Sequence, residues 1–295
     1  MRFKAHESFF IRKGWLYKGL RNIKEQPDIF SNRNYNPSDI LGIGTNMVRS
    51  LRYWLQVTGL SEEILSGGRH QEFTKLADII WKHDRYMEEM GTLWLIHYNL
   101  ASNIDEATAW YYFFNEFNMK EFSKDDFVEM VDTYSQINGC ETALSSLEGD
   151  FDCLMNTYVS RIKSNPEKVH PENNIDCPLG ELNLVDIVDK KQKIYRKAIP
   201  KKGTINPLIV FAVIVDQANK NKVGSEIKIN SILTDKNNAG KIFNLDVISL
   251  TEILYELQKM EYIKVNRTAG LDVIKLNKEM TFEEIVESYY MSLAE

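Results

Sequence analysis

From Thr74 to about Val159 the apolar residues recur at helical spacing without a break, a pattern that few architectures other than a mainly α one can bury. Helical segments are expected at about 75–82, 91–102, 105–117, 124–137 and 144–159. Two of them, Gly91 to Tyr98 and Ala107 to Phe114, are dense in aromatic residues. Aromatic rings at helical spacing supply most of a bundle's buried area, so they are assigned to the core rather than to a ligand pocket. Ser123 and Asp126 approximate a capping box ahead of Phe127, Val128, Met130 and Val131.

Before this stretch, Arg12 to Lys24 reads as an amphipathic helix carrying Trp15, Leu16, Leu20 and Ile23 on one side. Asn36 and Pro37 open a short second helix, with Ile40 and Leu41 apolar and Gly42 and Gly44 as breakers. A third helix is expected from Thr45, its N-cap, to Thr58. Met47, Val48, Leu51, Trp54 and Leu55 form its stripe, and Gly59 its stop. Gly67 and Gly68 then lie between two short segments, 62–65 and 71–74, which reads as a hairpin. Helix, glycine turn, helix and hairpin together spell a winged helix-turn-helix over residues 1–82. In that motif the second helix enters the DNA major groove by its N-terminal end. Thr45, Asn46, Arg49 and Arg52 face away from the stripe, and Arg69 and His70 sit at the tip of the wing. Winged helices also dock proteins, so the motif leaves both uses open.

The remainder divides into an acidic helical bundle at 83–164, a basic hairpin or linker at 165–205, and a second winged-helix-like unit at 206–295. In the linker, Ile187-Val188 is expected to pair with Lys193–Ile199. The last unit is expected to run as a helix from Pro207 to about Asn219, a strand near 225–229, a short segment at 230–233, a long helix at 249–260, and strands at 262–265 and 271–276. Glu252 and Glu256 on that long helix favour protein docking over DNA for this half. The expected fold class is therefore mainly α with small β-hairpins (α+β).

Charge divides along the same lines. The net charge is -6, but residues 1–60 hold ten Lys/Arg against four Asp/Glu, and residues 61–160 hold six against nineteen. A polyanion responds to the local field of the face it meets, so an acidic total does not exclude nucleic acid. The other basic run is Lys190 to Lys202, in which Lys190, Lys191, Lys193, Arg196 and Lys197 are added to the candidate DNA contacts.

Other chemistry is weakly represented. Gly42 and Gly44 imitate the start of a dinucleotide loop, but no buried strand precedes them and Met47 stands where the third glycine belongs. His6-Glu7 is not a zinc-protease motif, because Phe10 stands four residues after His6. Cys153, His170 and Cys177 could be imagined around zinc, yet their spacing matches no compact module. The three cysteines are read as free thiols, and no cofactor is expected. The longest apolar run, Leu208 to Val215, is far shorter than a membrane span, and Met1 to Glu7 lacks a signal-peptide core. A cytoplasmic protein with no membrane partner is expected.

Several segments together resemble a known family: Ala5 to Phe9, Arg12 to Gly19, Leu41 to Ser50 with Arg52 to Leu55, Gly91 to Leu95, Ala107 to Trp110, and Asp176 to Leu179 with Glu181-Leu182. They are similar to the bacterial domain of unknown function 4007 over nearly the whole chain. The resemblance implies a component of DNA phosphorothioation or related phage-defence gene clusters, with sulfur-transfer or ATPase proteins as partners. It carries no catalytic residues. The expected role is a non-enzymatic DNA-binding accessory subunit, with a protein-interaction scaffold as the alternative.

Overall fold

The computed structural model describes residues 1–32, 34–159, 177–268 and 271–294. At the N-terminal end, helix α1 (Trp15–Glu25) buries Trp15, Leu16, Gly19, Leu20 and Ile23, the apolar side expected from its spacing. Helix α2 (Pro37–Leu41) starts on Asn36, whose side chain accepts from the Ser38 amide, and ends on Gly42 at φ 63°, a left-handed conformation that suits glycine. Helix α3 (Thr45–Val57) follows directly. Thr45, expected as its cap, is instead the first helical residue; Gly44 occupies the cap position and offers no side-chain acceptor. Strands β1 (Ser61–Ile64) and β2 (His70–Phe73) pair antiparallel, Ser61 opposite Phe73 and Ile64 opposite His70, so the expected hairpin forms.

Helices α4 (Lys75–His83), α5 (Met90–Ser102), α6 (Thr108–Asn115), α7 (Lys124–Ile137) and α8 (Leu144–Tyr158) match the five expected segments to within a few residues. Ser123 and Asp126 form a full capping box on α7. Buried residues cover every side of α5 and α6, which marks them as central helices. Phe113, Phe117, Phe122 and Phe127 interlock through mainly edge-to-face contacts, so the aromatic density is core packing.

Between α6 and α7 lies a two-residue strand, β3 (Glu121–Phe122). It joins a sheet with β4 (Val185–Asp189) and β5 (Ile194–Lys197), in the order β3-β5-β4. The basic hairpin therefore forms as expected and is stitched to the acidic bundle. A short 3-10 helix at Pro178–Leu182 leads into it.

The last part runs through α9 (Pro207–Lys220), β6 (Glu226–Lys228), α10 (Ile229–Thr234), α11 (Ala239–Ile242), α12 (Val247–Lys259), β7 (Ile263–Thr268), β8 (Leu271–Leu276) and α13 (Phe282–Ser292), with sheet order β6-β8-β7. The expectation contains neither α11 nor α13. Helix α13 packs on both α9 and α4, and its Tyr289 hydroxyl accepts from the Gly91 amide 198 residues earlier in the chain. The buried apolar residues form one connected cluster from Ile11 to Tyr290. Among the described residues no helix is long and apolar enough to cross a membrane.

One buried polar group makes this core sensitive to acid. His97 on α5 is fully buried, with Nε2 2.8 Å from the Ile242 carbonyl and Nδ1 2.7 Å from the Tyr158 hydroxyl. The carbonyl can only accept, so Nε2 carries the proton and Nδ1 receives the hydroxyl. Burial pushes the imidazole down from 6.5 to about 4. Between those values the unfolded chain binds a proton that the folded chain refuses, so stability is full above pH 6.5 and declines as pH falls toward 4. The expected loss is up to about 3 kcal/mol. Urea denaturation at pH 7 and at pH 4.5 should show this slope, and His97→Gln should flatten it.

Candidate nucleic-acid interface

The first residues of the chain are anchored before any surface is built on them. Asp150, buried on α8, accepts from the Lys4 amide at 2.9 Å and from His6 Nε2 at 2.7 Å. The Ser8 amide donates to His6 Nδ1, so the ring's remaining proton lies on Nε2 and points at the carboxylate. The His6 ring stacks on Trp54, and Trp54 Nε1 donates to the Phe9 carbonyl at 2.9 Å. The Arg2 amide donates to Thr108 Oγ1 at 2.8 Å. These contacts bring Arg2, Ala5 and Glu7 beside α3 and the β1–β2 hairpin.

A polar cleft of about 520 Å³ opens there, and Arg2, Arg49, Arg52 and Arg69 line it together with Glu63 and Glu106. Thr45, Asn46 and Arg49 are exposed on α3, with Arg49 reaching back toward Asn46 Oδ1. Arg52, expected to be exposed, is half-buried and paired with Glu63. Burial, then the charges of Arg69 and Arg2, push its guanidinium down from the usual arginine range. The same Glu63 carboxylate takes Arg69 Nε at 2.6 Å and Gln71 Nε2 at 3.0 Å. Arg2 pairs with Glu106 at 2.6 Å. One carboxylate thus gathers the guanidinium groups of α3 and the hairpin tip, while Arg49 projects from the adjacent turn of α3. Beside the tip, His70 is held by the Gly68 carbonyl and by Glu72, which raise its pKa in that order.

The second basic run is laid out differently. Lys190, Lys191 and Lys193 are exposed at the turn of the β4–β5 hairpin, where Asp189 accepts from the Lys191 and Gln192 amides. Arg196 pairs with Asp186 across the hairpin at 3.2 Å, a cross-strand partner that the acid-free run of sequence conceals. Lys197 turns inward, donating to the Phe113 and Phe117 carbonyls at the end of α6. Burial and the nearby Lys241 push its pKa down to about 7. Arg196 and Lys197 line a separate cleft with Asn118 and Lys241.

Glu63, Glu106 and Arg2 are members of the α3 cleft that sequence reasoning missed. The signal available for Glu63 was its register: β1 alternation sets it opposite Gln71 and toward the helix. None of the three thiols lines either cleft. Cys153 and Cys177 are buried, and burial followed by the Asp150 charge pushes the Cys153 thiol well up. His170, the third member of the imagined zinc set, lies outside the described residues. Among the described residues no three His, Cys, Asp or Glu side chains are placed to hold a metal ion.

These features define a mainly α protein with small antiparallel sheets, in which a glycine-linked helix pair and a hairpin collect arginines around a polar cleft. The chain belongs to the family described as Protein of unknown function (DUF4007), which matches residues 3–290. Two solved structures share its fold, an SspB crystal structure and a magnesium ion-bound SspB crystal structure. Each has a TM-score of 0.82 and 20% sequence identity, and each match covers 99% of this chain and 87% of the other. No curated protein matches the chain.

Proposed function

We propose that this chain is a non-enzymatic DNA-binding accessory subunit of a DNA-modification system of the phosphorothioation type, or of a related phage-defence system. The carrying observation is the cleft in which Arg49, Arg52, Arg69 and Arg2 converge beside the exposed start of α3. In this reading residues 1–82 act as a winged helix-turn-helix. Thr45, Asn46 and Arg49 meet base edges in the major groove, and Arg69 at the wing meets a phosphate. Glu63 holds Arg52 and Arg69 in place until phosphate oxygens take over their donors. Lys190, Lys191 and Lys193 offer a second, sequence-independent phosphate contact.

A magnesium ion, which one solved relative carries, needs carboxylate oxygens free to turn toward it. Glu63 and Glu106 are committed to guanidinium groups, so the reading takes no step through a metal. The second reading, a scaffold for a sulfur-transfer or ATPase partner, is favoured by α12. That helix exposes Val247, Ile248 and Tyr255 and presents Glu256 where a DNA reader would carry cations.

Duplex affinity measured across salt concentrations tests the proposal. Log affinity should fall linearly with log salt; no measurable binding at low salt would remove the DNA reading and leave the scaffold. Glu63→Gln should tighten duplex binding several-fold at low salt, with the gain shrinking as salt rises, because it deletes the carboxylate that competes with phosphate. Weaker binding by a stably folded Glu63→Gln protein would show that Glu63 positions the arginines without competing for them.

A further inference from the structure

A second surface on the N-terminal part has the composition of a nucleic-acid contact but lies outside the α3 cleft. Tyr86, on the loop between α4 and α5, is 58% exposed. Its ring lies 4.8 Å from that of Tyr17, which stacks almost parallel on Trp81 at 5.8 Å and 9°. Lys24 Nζ sits 5.1 Å from the Trp81 ring centre, and the Arg85 guanidinium 6.0 Å from it. Tyr17 and Tyr86 also wall a cavity of about 200 Å³, with Arg12 and Lys13 at the start of α1 among its lining residues. Three aromatic rings thus stand in a row, the outermost largely in water, with four cations around them.

We propose that this shelf binds unpaired bases of a DNA single strand. Every base has a π-face, so aromatic stacking with a cationic border gives affinity with little sequence preference. A base would lie on the outer face of Tyr86, and its flanking phosphates would meet Arg12, Lys13, Lys24 and Arg85. Glu88 and Glu181, also on the cavity wall, are acceptors for an exocyclic amine of a base. The proposal rests on the DNA reading and extends it. A protein that holds duplex at α3 and unpaired bases at Tyr86 prefers a junction between the two, the form of DNA produced when a strand is opened for chemistry.

The test uses the full chain and three labelled probes: a blunt duplex, an oligothymidine of about 12 nucleotides, and the same duplex with a thymidine overhang. Binding is read by fluorescence anisotropy. The overhang should raise affinity above that of the blunt duplex. Tyr86→Ala should abolish that gain and weaken oligothymidine binding by about tenfold, with blunt-duplex binding unchanged. Tyr86→Phe should keep the gain, since stacking uses the ring and not the hydroxyl. Absence of oligothymidine binding, an unchanged Tyr86→Ala protein, or equal losses in the Phe and Ala variants would overturn the proposal. If oligothymidine binds through Tyr86 while blunt duplex does not bind at all, the α3 reading fails and this site stands.

Discussion

Replacing Asp150 with alanine is expected to destabilise the protein by about 2–5 kcal/mol, because it removes a buried acceptor shared by two donors, each of which costs about 1–3 kcal/mol when left unsatisfied. Asp150 is 1% exposed and accepts from the Lys4 amide and from His6, so its loss strands the buried His6 Nε2–H and frees the Lys4 amide at once. The damage should extend to function. Residues 2–7 would no longer be tied to α8, and Arg2 and Glu7 would leave the wall of the α3 cleft. Thermal unfolding should record the stability loss, and duplex binding below the new midpoint should be weaker than in the parent. A midpoint within a degree or two of the parent would show that the segment is held mainly by Trp54 and Thr108.

The double substitution Arg49→Ala with Arg52→Ala should cost duplex binding on the order of 1–3 kcal/mol for each arginine that reads a base edge, or lower the salt slope by roughly one for each that holds a phosphate. The two residues should not contribute alike. Arg49 is exposed, and its removal should be neutral for folding. Arg52 is half-buried against Glu63, so its removal leaves that carboxylate with Arg69 and Gln71 alone and should lower stability modestly. The single variants separate these effects: Arg49→Ala weakens binding at unchanged stability, and Arg52→Ala changes both. Unaltered duplex affinity in a folded double variant would remove α3 from the interface.

Local chemistry made much of the fold legible. Asn36, Pro37 and Gly42 delimit α2 because a cap, a preset φ and a left-handed stop act within a few residues. Gly67 and Gly68 fix the hairpin for the same reason. Helix α13 was legible too: Thr281 and Glu284 spell a capping box ahead of Ile285, Val286, Tyr289 and Tyr290, a signal the expectation for this half leaves out. Strand β3 was not, since two residues become a strand only by pairing Glu121 with Arg196 and Phe122 with Tyr195. The candidate site divides the same way. Thr45, Asn46 and Arg49 are exposed where helical periodicity sets them. The pairing of Arg52 and Arg69 through Glu63, the Asp186 partner of Arg196 and the inward turn of Lys197 arise only when distant elements meet. A run of like charge in sequence says nothing about which of its members the fold neutralises.

The seat of α13 on α4 and α5 also sets an order of events during synthesis. Gly91 closes against Tyr289, where a β-carbon would collide with the phenol ring, so a side chain at this position would displace the ring. Helices α4 and α5 emerge from the ribosome about 200 residues before the helix that covers them. Contacts so distant along the chain form slowly, because a long loop must close before they stabilise anything. Until then the surface of α4 and α5 that receives Tyr289 and Tyr290 stays open in the nascent chain. A premature stop after α12 would leave it open for good, and the truncated product should aggregate or recruit chaperones even with every residue of the α3 cleft intact.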